Sequence, residues 1–383
     1  MEMVKMFYNG ALRFFREADM VIFALSLGSA IFGIVLITSA VTNIPGERGA
    51  PDVQTGAMIL GVILFVLFTY IDIDLIADKS KLLFVFSMLF MATLLVWGVR
   101  EGGNTAWLRF FGIGIQPGEV VKISFIIVMA KMISTFKEQR RLNSFLALLQ
   151  IVVVFGAFFF AVYEFADDMG TAVVYLGIFV IMLFAGGVKL RWFALAAVVL
   201  TAVAPILWET MLEPRQRYRI MAPFFRDIVD PAGTDLLWQA DLSLQAIATG
   251  GAFGQGLGNG NLTQWGNFPA QHTDFIFSVA GEELGFFGCL AIIALQTCII
   301  IRCFYVGVKS NNPLGMLVCI GIGSLFIVQS VMNIGMALGI LPVIGITLPF
   351  ISYGGSSIVT CFIAMGIVSG IKMRPKPARF RNI

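Results

Sequence analysis

The sequence predicts an all-α polytopic membrane protein: ten transmembrane helices with a long extracytoplasmic loop between the seventh and eighth. Three observations predict it. The chain of 383 residues is 58% hydrophobic and only 13% charged. Its uncharged runs of about 17 to 26 residues match the length a helix needs to cross the hydrocarbon core, and a helix satisfies its own backbone there. Its basic residues also sort by side once the runs are counted as spans. A soluble all-α protein is excluded by the same numbers.

From the N-terminus, an amphipathic segment at about Val4 to Arg16 sets Phe7, Tyr8, Leu12, Phe14 and Phe15 among basic residues. It reads either as an interfacial helix or as a frayed terminus. The apolar run from about Val21 to Ile44 is longer than a signal peptide's core and lacks a clear small-residue cleavage site, so it is kept as the first span. Spans are expected at about 20–41, 55–74, 81–99, 118–137, 143–163, 170–188, 191–211, 275–307, 311–338 and 348–371. The last two come from one uncharged stretch between Lys309 and Lys372, divided at the turn-forming Gly339 to Pro349, GILPVIGITLP.

Ten spans put both termini on one side. With the termini cytoplasmic, the inner side collects Lys79, Lys81, Lys137, Arg140, Arg141, Lys189, Arg191, Arg302, Lys309 and the C-terminal Lys372, Arg374, Lys376, Arg379 and Arg381. The outer side holds Arg48, Arg100 and Arg109 in short loops and Arg215, Arg217, Arg219 and Arg226 in the long one. That long segment, about residues 212–273, is a cap over the bundle and not a separate domain, so residues 1–383 form a single transmembrane domain. Trp208, Trp238 and Trp265 stand in or beside it as interfacial anchors. Its glycine series GGAFGQGLGNG, Gly250 to Gly260, lacks the ending and context of a phosphate-binding loop and reads as a flexible turn permitting close backbone approach. All five cysteines, Cys289, Cys298, Cys303, Cys319 and Cys361, fall in the last three spans at spacings matching no metal motif, and no exported disulfide is implied. A net charge of +3, sorted by side of the membrane, says little about soluble partners, and no nucleic-acid partner is expected.

The candidate chemistry gathers around FPAQHTDFIFSVAGEELGFFG, Phe268 to Gly288, which holds the only histidine, His272, with Asp274, Glu282 and Glu283. A helix starting near Asp274 would carry the two glutamates roughly 12 to 14 Å deeper, where a carboxylate costs on the order of 2.5 to 3.5 kcal/mol. Something must offset that. Asp274 reads first as a helix N-cap and second as a general base whose pKa is raised at the rim of a low-dielectric bundle. His272 could tune it or sit solvated in a loop. In QPGEVVK, Gln116 to Lys122, Glu119 and Lys122 stand at i, i+3. They read either as a self-neutralising interfacial pair or as part of a cationic site for a phosphate or pyrophosphate headgroup. Asp167 and Asp168 in ADDMGTA suit the N-terminus of the sixth span. ISYGGSS, Ile351 to Ser357, opens the tenth span with small residues suited to close packing, with cavity lining as a second role.

These motifs carry a resemblance. QPGEVVK, DMGTA at 168–172, QAIATGGAFGQGLG at 245–258, PAQHTDFIFSVAGEELG at 269–285 and MNIGMALGILPVIGITLPFISYGGSS at 332–357 resemble the SEDS family (shape, elongation, division and sporulation), the group of FtsW, RodA and SpoVE. The resemblance implies a bacterial inner-membrane peptidoglycan glycosyltransferase. It would polymerise lipid II into undecaprenyl-linked glycan strands outside the membrane by inverting transfer, with a class B penicillin-binding protein cross-linking the product. Asp274 matches the family's essential aspartate, Glu119 and Lys122 its conserved pair, and His272, Thr273, Glu282 and Glu283 the rest of the aspartate motif. The chain departs at Ala106, where an arginine normally precedes the tryptophan, the nearest here being Arg109, and at Gly118, where serine is usual.

The expected site is therefore Asp274 as catalytic base, with Lys122, Glu119, Arg109, Arg48, Gln116, His272, Thr273 and Ser352 binding substrate. A divalent cation, magnesium or manganese, could share the clamp's work, although no carboxylate cluster looks like a dedicated metal site. The competing reading is a lipid II flippase, and a third is a scaffold that recruits a partner enzyme. A flippase expects ionisable residues along a path to both faces, whereas Glu282, Glu283 and Lys131 are the chief deep ones here. Within the family, LGNGNLTQW and TLPFISYGGSS look closer to FtsW and SpoVE, while the short N-terminus and MNIGMALGILP also fit RodA, so division and elongation (cell shape) both stay open.

Overall fold

A computed structural model describes residues 14–101, 104–110, 113–210, 212–230, 237–266 and 268–374. Its helices are α1 (Met20–Val41), α2 (Ala50–Tyr70), α3 (Ile73–Asp78), α4 (Ser80–Ala92), α5 (Leu94–Trp97), α6 (Pro117–Glu138), α7 (Phe145–Phe160), α8 (Met169–Gly186) and α9 (Leu190–Thr210). They continue as α10 (Pro214–Met221), α11 (Arg226–Val229), α12 (Trp238–Gly250), α13 (Asn261–Trp265), α14 (Ile276–Lys309), α15 (Pro313–Ala337) and α16 (Gly355–Met373). Among the described residues, nine helical stretches are long and apolar enough to cross a membrane. The protein is a multi-pass membrane protein. The stretch expected at 118–137 is α6, of similar length, but Glu119, Lys122, Lys131 and Lys137 lie along it. Its polarity is matched by enclosure: Glu119 and Lys122 are buried, and Lys131 pairs with Asp78 at 2.8 Å. Charge in a span is tolerated when it faces protein and finds a partner.

Small residues set close helix contacts. A Cβ added at Gly366 would lie 2.6 Å from the Phe65 carbonyl oxygen and one at Gly370 2.8 Å from that of Thr69, so α16 crosses α2 backbone to backbone. Outward, α9 buries nothing within its apolar window. The amphipathic segment expected at 4–16 lies largely outside the described residues; its Phe14 is buried against Phe23 and Phe65.

The stretch between α5 and α6, expected as a plain loop, instead forms three short antiparallel strands, β1 (Val99–Glu101), β2 (Asn104–Phe110) and β3 (Ile113–Ile115). Alternation explains them: Ala106 and Leu108 of β2 are buried while Arg109 is exposed. The last span also starts later than residue 348. Leu348 to Gly354 is irregular, with Phe350 at φ 64°, and α16 begins at Gly355, so most of ISYGGSS precedes the helix instead of opening it.

Among the described residues, the later part of the long segment packs against the bundle. Leu242 and Ala246 of α12 and Phe268 join Leu36, Phe275, Phe277 and Ile351 in a second apolar cluster, separate from the main one. The glycine series makes the close approach that its composition predicts. At Gly254 (φ 78°) a Cβ would fall 2.2 Å from the Glu283 carbonyl oxygen, and Gly285, at φ 71° and ψ −162°, interrupts α14 at the same place. Carbonyls near this break find donors in the cap: Gln255 N to Glu282 O and Gly256 N to Glu283 O, both 2.9 Å. The glutamate side chains are satisfied too. Glu282 accepts from Leu262 N (2.7 Å), Thr263 N (2.8 Å) and Thr263 Oγ1 (2.6 Å), and Glu283 from Ser39 Oγ (2.6 Å) and Gln264 Nε2 (3.0 Å). These bonds offset the cost of two wholly buried carboxylates.

Candidate active site

The turn before α14 sets the position of Asp274. Ala270 takes φ 52°, and its carbonyl accepts from the amides of Thr273 (3.1 Å), Asp274 (3.0 Å) and Phe275 (3.2 Å). This coil delays the helix, so that Phe275 is the N-cap position and no side chain caps it. The N-cap reading of Asp274 is thereby overturned, because the acceptor it would supply arrives one residue too early. Instead the turn is pinned from three sides. Asn333 of α15 donates to the carbonyls of Asp274 and Ile346, both at 2.7 Å. Ser352 donates to Thr273 O (2.5 Å) and accepts from Leu348 N (2.8 Å), while Tyr353 N donates to His272 O (2.9 Å). Gln54 of α2 braces the same loop, donating to Ser352 O (3.1 Å) and accepting from Gly354 N (3.0 Å). Gly345 lies close beside the carboxylate, where a Cβ would sit 3.6 Å from Oδ2.

The Asp274 carboxyl is pushed up to about 6 from the ordinary 3.8, chiefly by burial and next by the charge of Asp168, with Thr273 pulling the other way. Asp168 is the link to the second group. Only 3% exposed, it accepts from Thr171 N (2.8 Å) as the N-cap of α8 and from Gln116 Nε2 (3.1 Å). Burial raises its own carboxyl, against hydrogen bonds from Thr171 and the charge of Lys122. Glu119 and Lys122, 6% and 1% exposed, form an ion pair at 2.5 Å on the first turns of α6. An exposed interfacial pair is thus not what the fold makes of them. Gln116 N donates to Ser356 Oγ (3.1 Å), and Tyr175 donates to Gly118 O (2.9 Å), so β3, α6, α8 and α16 meet here. Gly118 leaves room for a side chain: an added Cβ meets nothing nearer than Thr171 Cγ2 at 3.6 Å.

A rim surrounds these groups. His272 Nε2 lies 3.8 Å from Glu47 Oε2, its ring is 5.4 Å from that of Tyr353, and burial lowers its pKa more than Glu47 raises it. Tyr353 is raised by burial and by the charge of Glu47 and lowered by the charge of Arg109 on β2. Arg48 is exposed in the turn beside Glu47. The fold brings Asp274, Thr273, His272 and Ser352 into one bonded turn, and Gln116, Glu119 and Lys122 into a buried polar cluster with Asp168. Asp168, Asn333, Gln54 and Tyr353 enter the site without having been singled out for it. For Asn333 and Gln54 the available signal was a large amide in an otherwise apolar run. Among the described residues no three carboxylate, imidazole or thiol groups converge as a metal site. A divalent cation here would draw most of its ligands from water and a bound pyrophosphate.

The family profile described as a cell cycle protein, covering FtsW, RodA and SpoVE, matches residues 19–376. The chain is 35% identical over 329 residues to the probable peptidoglycan glycosyltransferase FtsW of Bacillus subtilis (strain 168), covering 84% of this chain and 80% of that one. It is 31% identical over 365 residues to the FtsW of Geobacter metallireducens, covering 94% and 95%. Among solved structures it resembles a chain from a peptidoglycan synthase complex that coordinates polymerization and crosslinking, with a TM-score of 0.76, 26% identity and coverage of 93% and 97%. It also shares the fold of the rod shape determining protein RodA of Thermus thermophilus, with a TM-score of 0.68, 23% identity and coverage of 93% and 96%. With the match running through nearly every span and through both halves of the polar site, the chain belongs to the FtsW, RodA and SpoVE family.

Proposed function

We propose that this chain, a peptidoglycan glycosyltransferase by its family and relatives, polymerises lipid II with Asp274 as general base. The carrying observation is one carboxylate, half-buried in a turn that Asn333, Ser352 and Tyr353 hold in place, with its carboxyl raised to about 6. Such a group takes a proton from an acceptor sugar hydroxyl far better than an ordinary aspartate. The hydroxyl oxygen attacks the anomeric carbon of the donor, the bond to the lipid pyrophosphate breaks, and an α linkage becomes β in one inversion. Pyrophosphate leaves as an anion, so no acid is required. Lys122, in its pair with Glu119, and the rim arginines Arg109 and Arg48 supply the positive charge that steadies it. A divalent cation, magnesium or manganese, bound with the pyrophosphate would share this work. Lipid II and the undecaprenyl-linked strand are the two substrates, and a class B penicillin-binding protein cross-links the product. Division or elongation is the setting.

The flippase alternative asks for ionisable residues lining a path through the bundle. Glu282 and Glu283 are engaged in holding the cap and Lys131 pairs with Asp78, which accounts for the deep charges without transport. The test is glycan-strand formation from lipid II by purified protein with its partner, compared with Asp274→Asn. Because Asp274 caps no helix, the amide should fold normally, keep lipid II binding and lose roughly 10² to 10⁴-fold in polymerisation. Near-normal strand formation by the variant would remove Asp274 as the base.

A further inference from the structure

At the end of the bundle away from Asp274, α14 and α16 finish beside the start of α1 and enclose a recess of about 270 Å³. Arg302, Tyr305, Lys309, Ser310 and Lys372 line it. Its charge is lopsided. Asp19, fully buried, accepts from Arg302 Nε at 2.9 Å and has Lys372 Nζ at 3.7 Å. Lys309 lies over the Tyr305 ring, 4.4 Å from its centroid, and donates to its hydroxyl, while Arg302 stands 5.0 Å from the same centroid. Contacts with a neutral ring hold these cations in place without cancelling them. The three positive side chains that line the recess meet one carboxylate, Asp19, while Asp72 and Asp74 lie beyond Ser310 with Asn312 and Arg374.

The depth of the recess matters as much. From the break at Gly285 to Lys309, α14 climbs about 36 Å, enough to cross a hydrocarbon core of about 30 Å. Its last turn then emerges where lipid phosphates lie. Ile301 and Val308, the chain neighbours of Arg302 and Lys309, are 61% and 75% exposed, an apolar wall beside the cations. Acyl chains would cover such a wall, whereas a water-borne anion would leave it bare. We propose that this recess binds the phosphate of an anionic phospholipid headgroup. Lys309 and Lys372 are its point charges, and Arg302, oriented by Asp19, is its forked donor.

Native mass spectrometry of the whole protein, released from vesicles of equal phosphatidylglycerol and phosphatidylcholine with matched acyl chains, tests this. The parent should retain the anionic lipid preferentially. Charge at a membrane surface contributes roughly fivefold per lysine, so Lys309→Gln with Lys372→Gln should cut that preference by about thirtyfold. Both lysines are surface groups, and an unchanged melting profile in detergent verifies that the variant is folded. Lys79→Gln with Lys81→Gln, exposed residues near the same end of the bundle, should leave the preference intact. Retention that survives tens of millimolar inorganic phosphate identifies the lipid as the source; displacement by inorganic phosphate assigns the same recess to a soluble phosphate. Equal retention of the two lipids by the parent, or equal loss in both double variants, would overturn the site.

Discussion

At Asp274 the same burial that makes a better base also opposes its ionisation. A base works only as the carboxylate, so polymerisation should rise with pH through about 6 and level off above it. Asp168 is the second cause of the shift, and Asp168→Asn removes its charge while Asn still caps α8. The midpoint of the rate profile should then move to lower pH, stopping short of 3.8 because burial remains. Initial rates with lipid II between pH 5 and 8 would check this, and an unmoved midpoint would disconnect the two carboxylates. The stability sign runs the other way. A carboxyl whose folded pKa lies above its unfolded value favours the fold at low pH, and that contribution is lost as pH rises from 3.8 through about 6. Asp274→Asn should therefore melt no lower than the parent at pH 7, even as it stops polymerising. The motif around Asp274 was legible in the sequence, but its role as a cap was a misreading. Nothing in the residue order reveals that Ala270 would coil three amides onto one carbonyl and start the helix late.

One element, the interrupted start of α14, holds cap and bundle together. Its glutamates look like a liability when placed on an unbroken helix, and sequence alone offers a depth but no partner. The partners lie in α13 and α1, far along the chain, and the glycines that bring them close carry no side chain to advertise the contact. Gly254→Ala would force a Cβ onto the Glu283 carbonyl at a backbone conformation L residues avoid. Glu282→Ala would strand three donors, each costing roughly 1 to 3 kcal/mol if left unsatisfied in the interior. Both variants should lower the melting temperature and open the cap to limited proteolysis near residues 251–265. Glu282→Gln should recover only part of the loss, since an amide brings a donor to a site lined with donors. Wild-type protease resistance in Gly254→Ala would show that the cap is held elsewhere.

Across the whole molecule, the spans were legible because lipid leaves a sequence few alternatives: about 20 apolar residues in a row, closed by charge or turn residues. What the sequence hid was what breaks that rule locally, the small sheet at 99–115 and the irregular entry to α16, both decided by packing against neighbours distant in the chain. Orientation is a separate property, carried by the sorting of lysine and arginine. Arg140 and Arg141 sit in the exposed turn after α6, and Asn259 sits exposed in the glycine loop of the cap. Because the positive-inside rule counts short loops most heavily, the turn at Arg140 should face the cytoplasm and the loop at Asn259 the outside, on the side of Asp274. Single cysteines at Arg140→Cys and Asn259→Cys test this in intact cells with a membrane-impermeant maleimide. The native thiols interfere little, since Cys298 is the exposed one and lies within α14. Labelling at 259 and protection at 140 until the cells are lysed is the expected pattern. The reverse would turn the catalytic end inward, where a base at Asp274 could not reach a strand growing outside the membrane.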